Sequence, residues 1–196
     1  TVTIQGVSAH PMNAKGVLVN PTLLAVDFVN LFDRRETPEC TEGTEGYIWC
    51  QSIRSNPTTA TVDLNIRDHD KARYEERKRL IAANVEKLRA LEPRCRVTYT
   101  IEDTYGNIAD AVTDENRQAI DNIYEAMRGL GIEPNTIAMR GGTDGSFIST
   151  KGILTPNYFT GGLNFHSNCE FLPTPSLHKS YELTMALIAL ACEKVQ

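Results

Sequence analysis

The segment GGLNFHSNCE, residues 161–170, carries a histidine and a glutamate four residues apart, behind a pair of glycines. An imidazole nitrogen is a common zinc ligand and a common general base near neutral pH. His166 is therefore a candidate metal ligand, and a hydrogen-bonded core histidine is the equal alternative. Catalytic zinc sites take three protein ligands, and the chain holds only three other histidines. The sequence around His166 leaves both alternatives open.

A second candidate is Arg140, which stands directly before the glycine-rich turn GGTDG of residues 141–145. A guanidinium binds a carboxylate through two parallel hydrogen bonds, so an arginine beside such a turn suits a carboxylate clamp. The turn resembles a phosphate cradle but lacks the Gly-Lys-Ser/Thr ending of a P-loop, and we favour a tight turn. His10 follows a predicted strand, where a hydrogen-bonded loop histidine is commoner than a catalytic one.

Composition limits the classes of function. The 196 residues carry a formal net charge of −5, and the basic residues of 71–96 alternate with glutamates as on a solvated helix face. Both features speak against nucleic acid as a partner. No apolar run approaches the roughly 20 residues that span a membrane. Five cysteines without C-x-x-C spacing predict neither disulfides nor a structural zinc site, and they favour the cytoplasm.

Periodicity in the first half predicts strands that alternate with helices. Strands are expected at 1–8, 47–54, 60–67 and 95–103, and helices at 20–32 and 70–92. A loop rich in Thr and Glu fills 34–46, and we favour a structural role because it lacks the spacing of a calcium-binding EF-hand. The order βαββαβ is the split βαβ arrangement of ferredoxin-like folds. The fold class is therefore α/β, with one sheet face free to meet a partner.

The second half is predicted to be a separate α/β portion. Helices are expected over 114–131, after the GGTDG turn, and over 176–195, and short strands at 135–140 and 156–162. Apolar residues cover a wide arc of the last helix, which indicates burial on more than one side. The boundary falls near 107–114, which gives domains of 1–108 and 109–196.

Taken together, the motifs resemble peptidase T, the zinc aminotripeptidase of the aminoacylase and carboxypeptidase G group. The resemblance extends over nearly the whole chain, and the stretches that carry it are AHPMNAKGVLVN, ETPECTEGTEGY, IRDHD, IEDTYGNI, RGGTDGSFIS and PNYFTGGLNFHSNCEF. It implies that residues 1–108 are a ferredoxin-like lid and dimerisation domain. It also implies that residues 109–196 are the C-terminal part of a zinc-peptidase catalytic domain.

The resemblance implies a role for five residues. His166 matches the last ligand of a site for two zinc ions, and His10 matches a lid histidine that stabilises the oxyanion. Asn107 and Arg140 match the pair that binds the substrate carboxylate, with Arg67 as a third member. The implied reaction is the zinc-dependent release of the N-terminal residue from a tripeptide by a cytoplasmic homodimer.

In this family the other zinc ligands and the general-base glutamate precede the lid, and this chain begins where the lid begins. We therefore expect a fragment that is inactive alone and binds zinc weakly, with His166 hydrogen-bonded through Glu170 or water. The helix at 176–195 should expose an apolar face or be covered by another chain. The alternative function is a non-catalytic module for dimerisation or small-molecule binding through the open sheet face.

Overall fold

The structure is a computed structural model that describes residues 1–193. The chain divides into two compact units. Unit 1 contains Thr1–Asp103 together with the short segment Ala138–Arg140. Unit 2 contains Thr104–Ile137 and the residues from Gly141 onward. Arg140 thus clusters with the first unit, although it follows a long stretch of the second.

Unit 1 is a four-stranded antiparallel sheet with two helices. Its elements are β1 (Val2–Gln5), α1 (Pro21–Val29), β2 (Tyr47–Ser55), β3 (Thr59–Arg67), α2 (Lys71–Leu91) and β4 (Arg96–Tyr99). The strands lie in the order β2-β3-β1-β4, and all neighbouring pairs are antiparallel. The element order βαββαβ and this sheet order confirm the predicted ferredoxin-like arrangement.

Both helices of unit 1 begin at capping residues that the sequence makes available. The Asn20 side chain accepts a hydrogen bond from the Thr22 N–H at 3.0 Å, and Pro21 takes the first helical position of α1. The Asp70 side chain accepts from the Arg73 N–H at 2.9 Å and caps α2. These caps fix where the chain leaves the loops after β1 and β3.

Alternation along the strands builds the core of unit 1. Val2 pairs with Val62, and Ile4 pairs with Ala60 and Val97, so these side chains share the face that α1 and α2 cover. The buried cluster consists of Val2, Ile4, Val19, Leu24, Ala25, Phe28, Ile48, Ala60, Val62, Ile81, Val85, Leu88 and Val97. Helices and sheet therefore enclose an apolar core between them.

The opposite sheet face carries a hydrogen-bonded charge cluster around Asp63. Its carboxylate accepts from the Ser52 hydroxyl at 2.8 Å, the Thr1 hydroxyl at 2.9 Å and the Arg54 guanidinium at 2.6 Å. Because these donors stabilise the ionised form, with Ser52 contributing most, they lower the pKa of Asp63 below its ordinary value. The sheet face away from the helices is therefore partly charged.

Unit 2 is helical in its described residues. Its helices are α3 (Gln118–Gly129), α4 (Asp144–Ser149) and α5 (Thr174–Glu193). α3 packs against α5, and the buried side chains are Ile123 and Ala126 on α3 and Leu183 on α5. The predicted end of the last helix, at Val195, lies outside the described residues. These helices confirm the three predicted for the second half, with shifted ends.

The two strands predicted for the second half are wrong. Residues 135–140 and 156–162 form neither a strand nor a helix. A strand needs a neighbour for its backbone N–H and C=O groups, and neither segment has one among residues 1–193. Within that range, the pairing found in unit 2 is an isolated bridge between Leu163 and Phe171. The apolar pattern of these segments therefore marks an apolar surface, and it does not place the segments in a sheet.

α5 carries an exposed apolar stripe, which we call the α5 stripe. It consists of Leu177, Tyr181, Met185 and Ile188. These side chains recur every three or four residues and share one helix face, whereas Leu183 is fully buried. The predicted exposed apolar face is therefore confirmed. Even so, none of the described helices combines the length and apolar character that a membrane crossing requires.

Candidate functional site

Arg140 is held by a loop of its own unit. Its Nη1 donates to Thr41 Oγ1 at 2.6 Å, and its Nη2 donates to the Pro38 carbonyl at 3.0 Å. The guanidinium lies 5.2 Å from the centroid of the Tyr47 ring in a cation–π contact. A guanidinium has five N–H donors, and these bonds use two, so three have no partner among residues 1–193. Those three can bind an anion.

We call residues 33–46, which supply the contacts to Arg140, the Thr-Glu loop. The Thr37 hydroxyl donates to the Arg34 carbonyl at 2.9 Å, and the Thr41 hydroxyl donates to the Thr37 carbonyl at 2.8 Å. A hydroxyl has one proton and two lone pairs. Because the Thr41 proton points to Thr37, a lone pair is available for the arginine. Donation therefore runs from Arg140 to the Thr41 hydroxyl and from that hydroxyl to the Thr37 carbonyl, whereas the Thr37 hydroxyl makes a separate bond to Arg34.

An ion cluster anchors the Thr-Glu loop to the rest of unit 1. Arg77 Nε donates to Asp68 Oδ2 at 3.0 Å, and Arg77 Nη1 donates to Glu36 Oε2 at 2.9 Å. The Asp68 carboxylate is fully buried, and the Arg77 side chain is nearly so. At the other end of the loop, a side chain at Gly46 would overlap the Asp68 carboxylate. Both ends of the loop are thus fixed to Asp68.

Arg67 lies at the same end of the β2–β3 hairpin as Arg140. It is the residue directly opposite Tyr47 in the antiparallel register, and side chains of such a pair lie on one sheet face. Its Nε donates to Asn65 Oδ1 at 3.2 Å. Because Arg140 stacks on Tyr47, the structure brings two of the predicted carboxylate ligands close to one aromatic ring.

His10 lies in the loop after β1, and its ring is exposed. The Met12 N–H donates to His10 Nδ1 at 3.2 Å, so this residue caps the short turn Pro11–Asn13. A backbone N–H can only donate, so Nδ1 must carry a lone pair. In the neutral ring the proton is then on Nε2, which is left as a hydrogen-bond donor. Local chain geometry therefore selects the tautomer.

Asn107 belongs to unit 2 and is exposed. Its Oδ1 accepts from the Ala109 N–H at 3.1 Å and caps the turn Ile108–Ala111. The acceptor end of the amide is thus used by the chain itself. Its Nδ2 has no partner within the described residues and can donate to a ligand.

The segment that leads to Asn107 starts from a fixed point in unit 1. The Tyr74 hydroxyl donates to Asp103 at 2.7 Å, and Lys78 Nζ donates to the same carboxylate at 3.1 Å. Burial, followed by the bond to Asp103, raises the pKa of Tyr74 to about 12. The same bond, followed by that from Lys78, lowers the pKa of Asp103. The carboxylate therefore stays ionised at neutral pH and ties the end of unit 1 to α2.

The glycine-rich turn is packed closely against its own unit. A side chain at Gly142 would overlap the Tyr105 ring, and one at Gly145 would overlap the Thr155 carbonyl. These approaches favour the tight-turn interpretation over an open phosphate cradle. A cleft of about 340 Å³ lies beside the turn, lined by Thr104, Tyr105, Gly142, Thr143, Asp144 and Phe147. The cleft is within unit 2, on the segment that carries Asn107.

His166 stands at the tip of a closed loop, residues 163–171. Leu163 and Phe171 exchange two backbone hydrogen bonds at 2.9 and 3.2 Å and close its base. His166 has φ +63° and Asn164 has φ +57°, in the left-handed region that histidine and asparagine enter more readily than most residues. The Glu170 carboxylate accepts the His166 backbone N–H at 2.9 Å. Glu170 therefore bonds the backbone of His166, and the ring is left exposed.

The chain does not hold a complete metal site in its described part. Within residues 1–193, no three His, Cys, Asp or Glu side chains form a group that could hold a metal ion. An imidazole suits zinc, but a zinc site takes at least three protein ligands. His166 can therefore be one ligand and cannot form the site alone.

Comparison with known proteins gives the relationship. Residues 1–94 match the family described as the peptidase dimerisation domain. A peptidase T-like protein of Rhizobium meliloti (strain 1021) is 48% identical over 190 residues, which cover 97% of this chain and 46% of that protein. Peptidase T of Fusobacterium nucleatum is 39% identical over 191 residues, with coverage of 97% and 46%. The chain is similar to peptidase T over nearly its whole length.

The chain spans about half the length of the peptidase T relatives it matches. Two solved structures share its fold. A tripeptidase from Staphylococcus aureus gives a TM-score of 0.72 at 22% identity over 96% of this chain and 50% of that one. A Bacillus subtilis protein described as a dinuclear metal binding peptidase gives 0.57 at 12% identity, with coverage of 98% and 49%. The mixed α/β fold is confirmed, and the finer domain limits of 1–108 and 109–196 stay a prediction.

Sequence reasoning missed the residues that hold Arg140. Thr41 and Pro38 lie in a loop for which the sequence predicts only a structural role, and Tyr47 is predicted only as the start of a strand. Thr41 and Arg140 are 99 residues apart, so no local pattern links them. Paired variation of these two positions among relatives is the signal that could have found the contact.

Proposed function

We propose that the full protein containing this chain is a zinc-dependent aminopeptidase that releases the N-terminal residue of tripeptides. The observation that carries the proposal is the similarity to peptidase T over 97% of the chain. The similarity of the chain to peptidases does not depend on which substrate the full protein cleaves. A cytoplasmic location belongs to the same proposal.

Arg140 and Asn107 would bind the C-terminal carboxylate of the tripeptide, with Arg67 as a third donor. Within residues 1–193, three N–H groups of Arg140 and the amide Nδ2 of Asn107 have no partner, and these donors support this role. A carboxylate offers several acceptor lone pairs and can accept from more than one donor. Such a clamp would measure substrate length, because it fixes the carboxylate at a set distance from the bond that is cleaved.

His10 would donate from Nε2 to the oxyanion that forms when water attacks the peptide carbonyl. The bond from Met12 to Nδ1 supports this role, because it leaves the proton of the neutral ring on Nε2. Removal of one such donor commonly lowers the rate by about 10²–10³-fold. The exposure of the ring supports a substrate that approaches from outside the loop.

His166 would be one ligand of a site for two zinc ions that residues outside this chain complete. The relation to peptidase T and the two metals named for the Bacillus subtilis structure support this proposal. A chain with one ligand should bind zinc weakly. Calorimetry that detects sub-micromolar zinc binding by residues 1–196 would contradict that expectation.

Unit 1 would form the contacts of a homodimer. The match of residues 1–94 to the peptidase dimerisation domain supports this partner. The sheet face around Asp63 is one surface that such a contact could use. If the full protein hydrolyses no peptide, a non-catalytic module for dimerisation or small-molecule binding is the alternative, and light scattering that finds only monomer would contradict it.

The test uses the full protein, loaded with zinc, and trialanine as the substrate. We expect release of N-terminal alanine, with weaker hydrolysis of trialanine amide and none of N-acetyl-trialanine. Arg140→Ala should lower kcat/KM for trialanine by about 10–100-fold, mainly through KM, because a bond to a charged group is lost. Arg79→Ala, an exposed arginine of α2, is the matched control. No hydrolysis by a zinc-loaded protein would refute the proposal.

A further inference from the structure

We propose that Thr41 is a positioning residue that orients the Arg140 guanidinium for the substrate carboxylate. The inference rests on the proposed function, because it concerns how the full enzyme would prefer substrates with a free C-terminal carboxylate. It does not make Thr41 a ligand of the substrate. The side chain acts through the arginine that it contacts.

The hydrogen bonds of the Thr41 hydroxyl have fixed directions. The Thr41 hydroxyl donates to the Thr37 carbonyl at 2.8 Å and accepts from Arg140 Nη1 at 2.6 Å. Both bonds involve the same oxygen, so the hydroxyl cannot rotate without breaking one of them. The acceptor that Arg140 meets is therefore fixed in direction as well as in place.

The shape of the Arg140 guanidinium limits how many contacts are needed to orient it. It is planar, so two acceptors and one ring suffice to fix it. Thr41 and Pro38 accept from its two terminal nitrogens, and the Tyr47 ring lies under its plane. The side chain as a whole is partly exposed. The remaining N–H groups are therefore held in a defined direction before any substrate arrives.

The loop that carries Thr41 is itself anchored. Glu36 bonds Arg77, Arg77 bonds the buried Asp68, and Gly46 packs on the same carboxylate. A loop without such anchors would move when the arginine moves. Because the ion cluster fixes the loop, Thr41 stays in place and restrains the Arg140 side chain.

Preorganisation lowers the cost of ordering a side chain when a ligand binds. If the Thr41 hydroxyl preorganises Arg140, removing that hydroxyl should weaken binding of a substrate carboxylate and leave binding of the corresponding amide unchanged. Thr41→Val keeps the shape of the side chain but can neither donate nor accept. Thr41→Ser keeps both bonds. Thr44→Val is the matched control, because Thr44 lies in the same exposed loop and has no bond to Arg140.

The first experiment compares trialanine with trialanine amide as substrates of the full zinc-loaded protein. For Thr41→Val we expect KM for the acid to rise about 10-fold, the scale of one hydrogen bond to a charged group, with kcat nearly constant. The amide should change by less than about 2-fold. Thr41→Ser and Thr44→Val should resemble the wild type. Equal losses for acid and amide, or no loss for either, would overturn the inference.

The second experiment needs no activity. The ¹⁵N resonances of the Arg140 side chain report rotation about the Nε–Cζ bond. In the wild type we expect slow rotation and separate Nη signals, and in Thr41→Val rotation faster by about 10-fold, since one bond is lost. Unchanged rotation would overturn the inference even if the protein is a tripeptidase. Conversely, faster rotation in a protein that cleaves no tripeptide would refute the proposed function and leave the orienting contact intact.

Discussion

The two units differ in how completely each one covers its own apolar side chains. Unit 1 encloses Phe28, Ile4 and their neighbours between a sheet and two helices. Unit 2 has few fully buried apolar side chains in its described part and leaves the α5 stripe exposed. Because apolar burial is the main favourable term in folding, unit 1 has the means to be stable alone. An exposed apolar patch of this kind is typical of a surface that contacts another molecule or segment, and unit 2 carries such a patch.

The largest expected effect is in the core of unit 1. Phe28→Ala should lower the free energy of unfolding by about 3–5 kcal/mol, because it opens a cavity at a fully buried ring. Trp49, the single tryptophan, lies on β2, so its fluorescence in a urea titration reports on this unit. Leu23→Ala, at an exposed position of the same helix, should cost less than about 1 kcal/mol. Equal losses for the two variants would mean that the core is not closed as described.

The next prediction concerns the loop of His166 in unit 2. Glu170→Ala should increase hydrogen exchange at the His166 amide by about 10-fold, because the amide loses a charged acceptor. Glu170→Gln keeps an oxygen acceptor and should give an intermediate rate. Glu133→Ala, an exposed glutamate of the same unit, should leave the rate unchanged. If Glu170→Ala exchanges like the wild type, the loop is not held by this bond.

A smaller effect on stability is expected at Asp63, on the charged sheet face. The pKa of Asp63 is lowered in the folded state, so its stabilising contribution is present above the unfolded value of about 4 and is lost as pH falls through the lower folded value. Asp63→Asn should therefore cost up to about 1 kcal/mol at pH 7, after solvent screening, and less at about pH 3, below the unfolded value. Urea titrations at both pH values measure this difference. A loss of equal size at the two pH values would contradict the role of the ionised carboxylate.

The smallest effect is expected on the α5 stripe. Tyr181→Ser should change the stability of this chain by less than about 0.5 kcal/mol, because the ring is largely exposed. Leu183→Ala, two residues further along the same helix, should cost about 2–5 kcal/mol, because its side chain is fully buried. Helical circular dichroism during denaturation measures both. A large loss for Tyr181→Ser would show that the stripe is covered within this chain.

The sequence predicts unit 1 better than unit 2 for a physical reason. Alternation at Val2 and Ile4 and the cap at Asn20 are local signals, and they suffice here because the partner strands are present in the same unit. Residues 135–140 and 156–162 have strand-like patterns too, but they have no strand neighbour in the described structure. A pattern reports which face is apolar, and only the neighbours decide whether that face joins a sheet.

The candidate site divides in the same way. His10 and Asn107 use their own neighbours as hydrogen-bond partners, so their geometry follows from a few adjacent residues. Arg140 depends on Thr41, Pro38 and Tyr47, which lie in distant parts of the chain. The sequence therefore marks the arginine as a candidate but cannot show what orients it. His166 is marked by its motif, whereas its left-handed backbone requires the structure.

The segment Ala138–Arg140 clusters with unit 1, but along the chain it lies between two stretches of unit 2. This order limits which segments recombination can exchange as complete units. Recombination that exchanged residues 1–103 between two relatives would transfer the Thr-Glu loop without the arginine that it contacts. A hybrid gene would then combine a threonine from one ancestor with an arginine from the other. Positions 41 and 140 should therefore change together in evolution, and where two relatives differ at either position, chimeras that respect only the unit boundary at 103 should lose the contact unless residues 138–140 are exchanged as well.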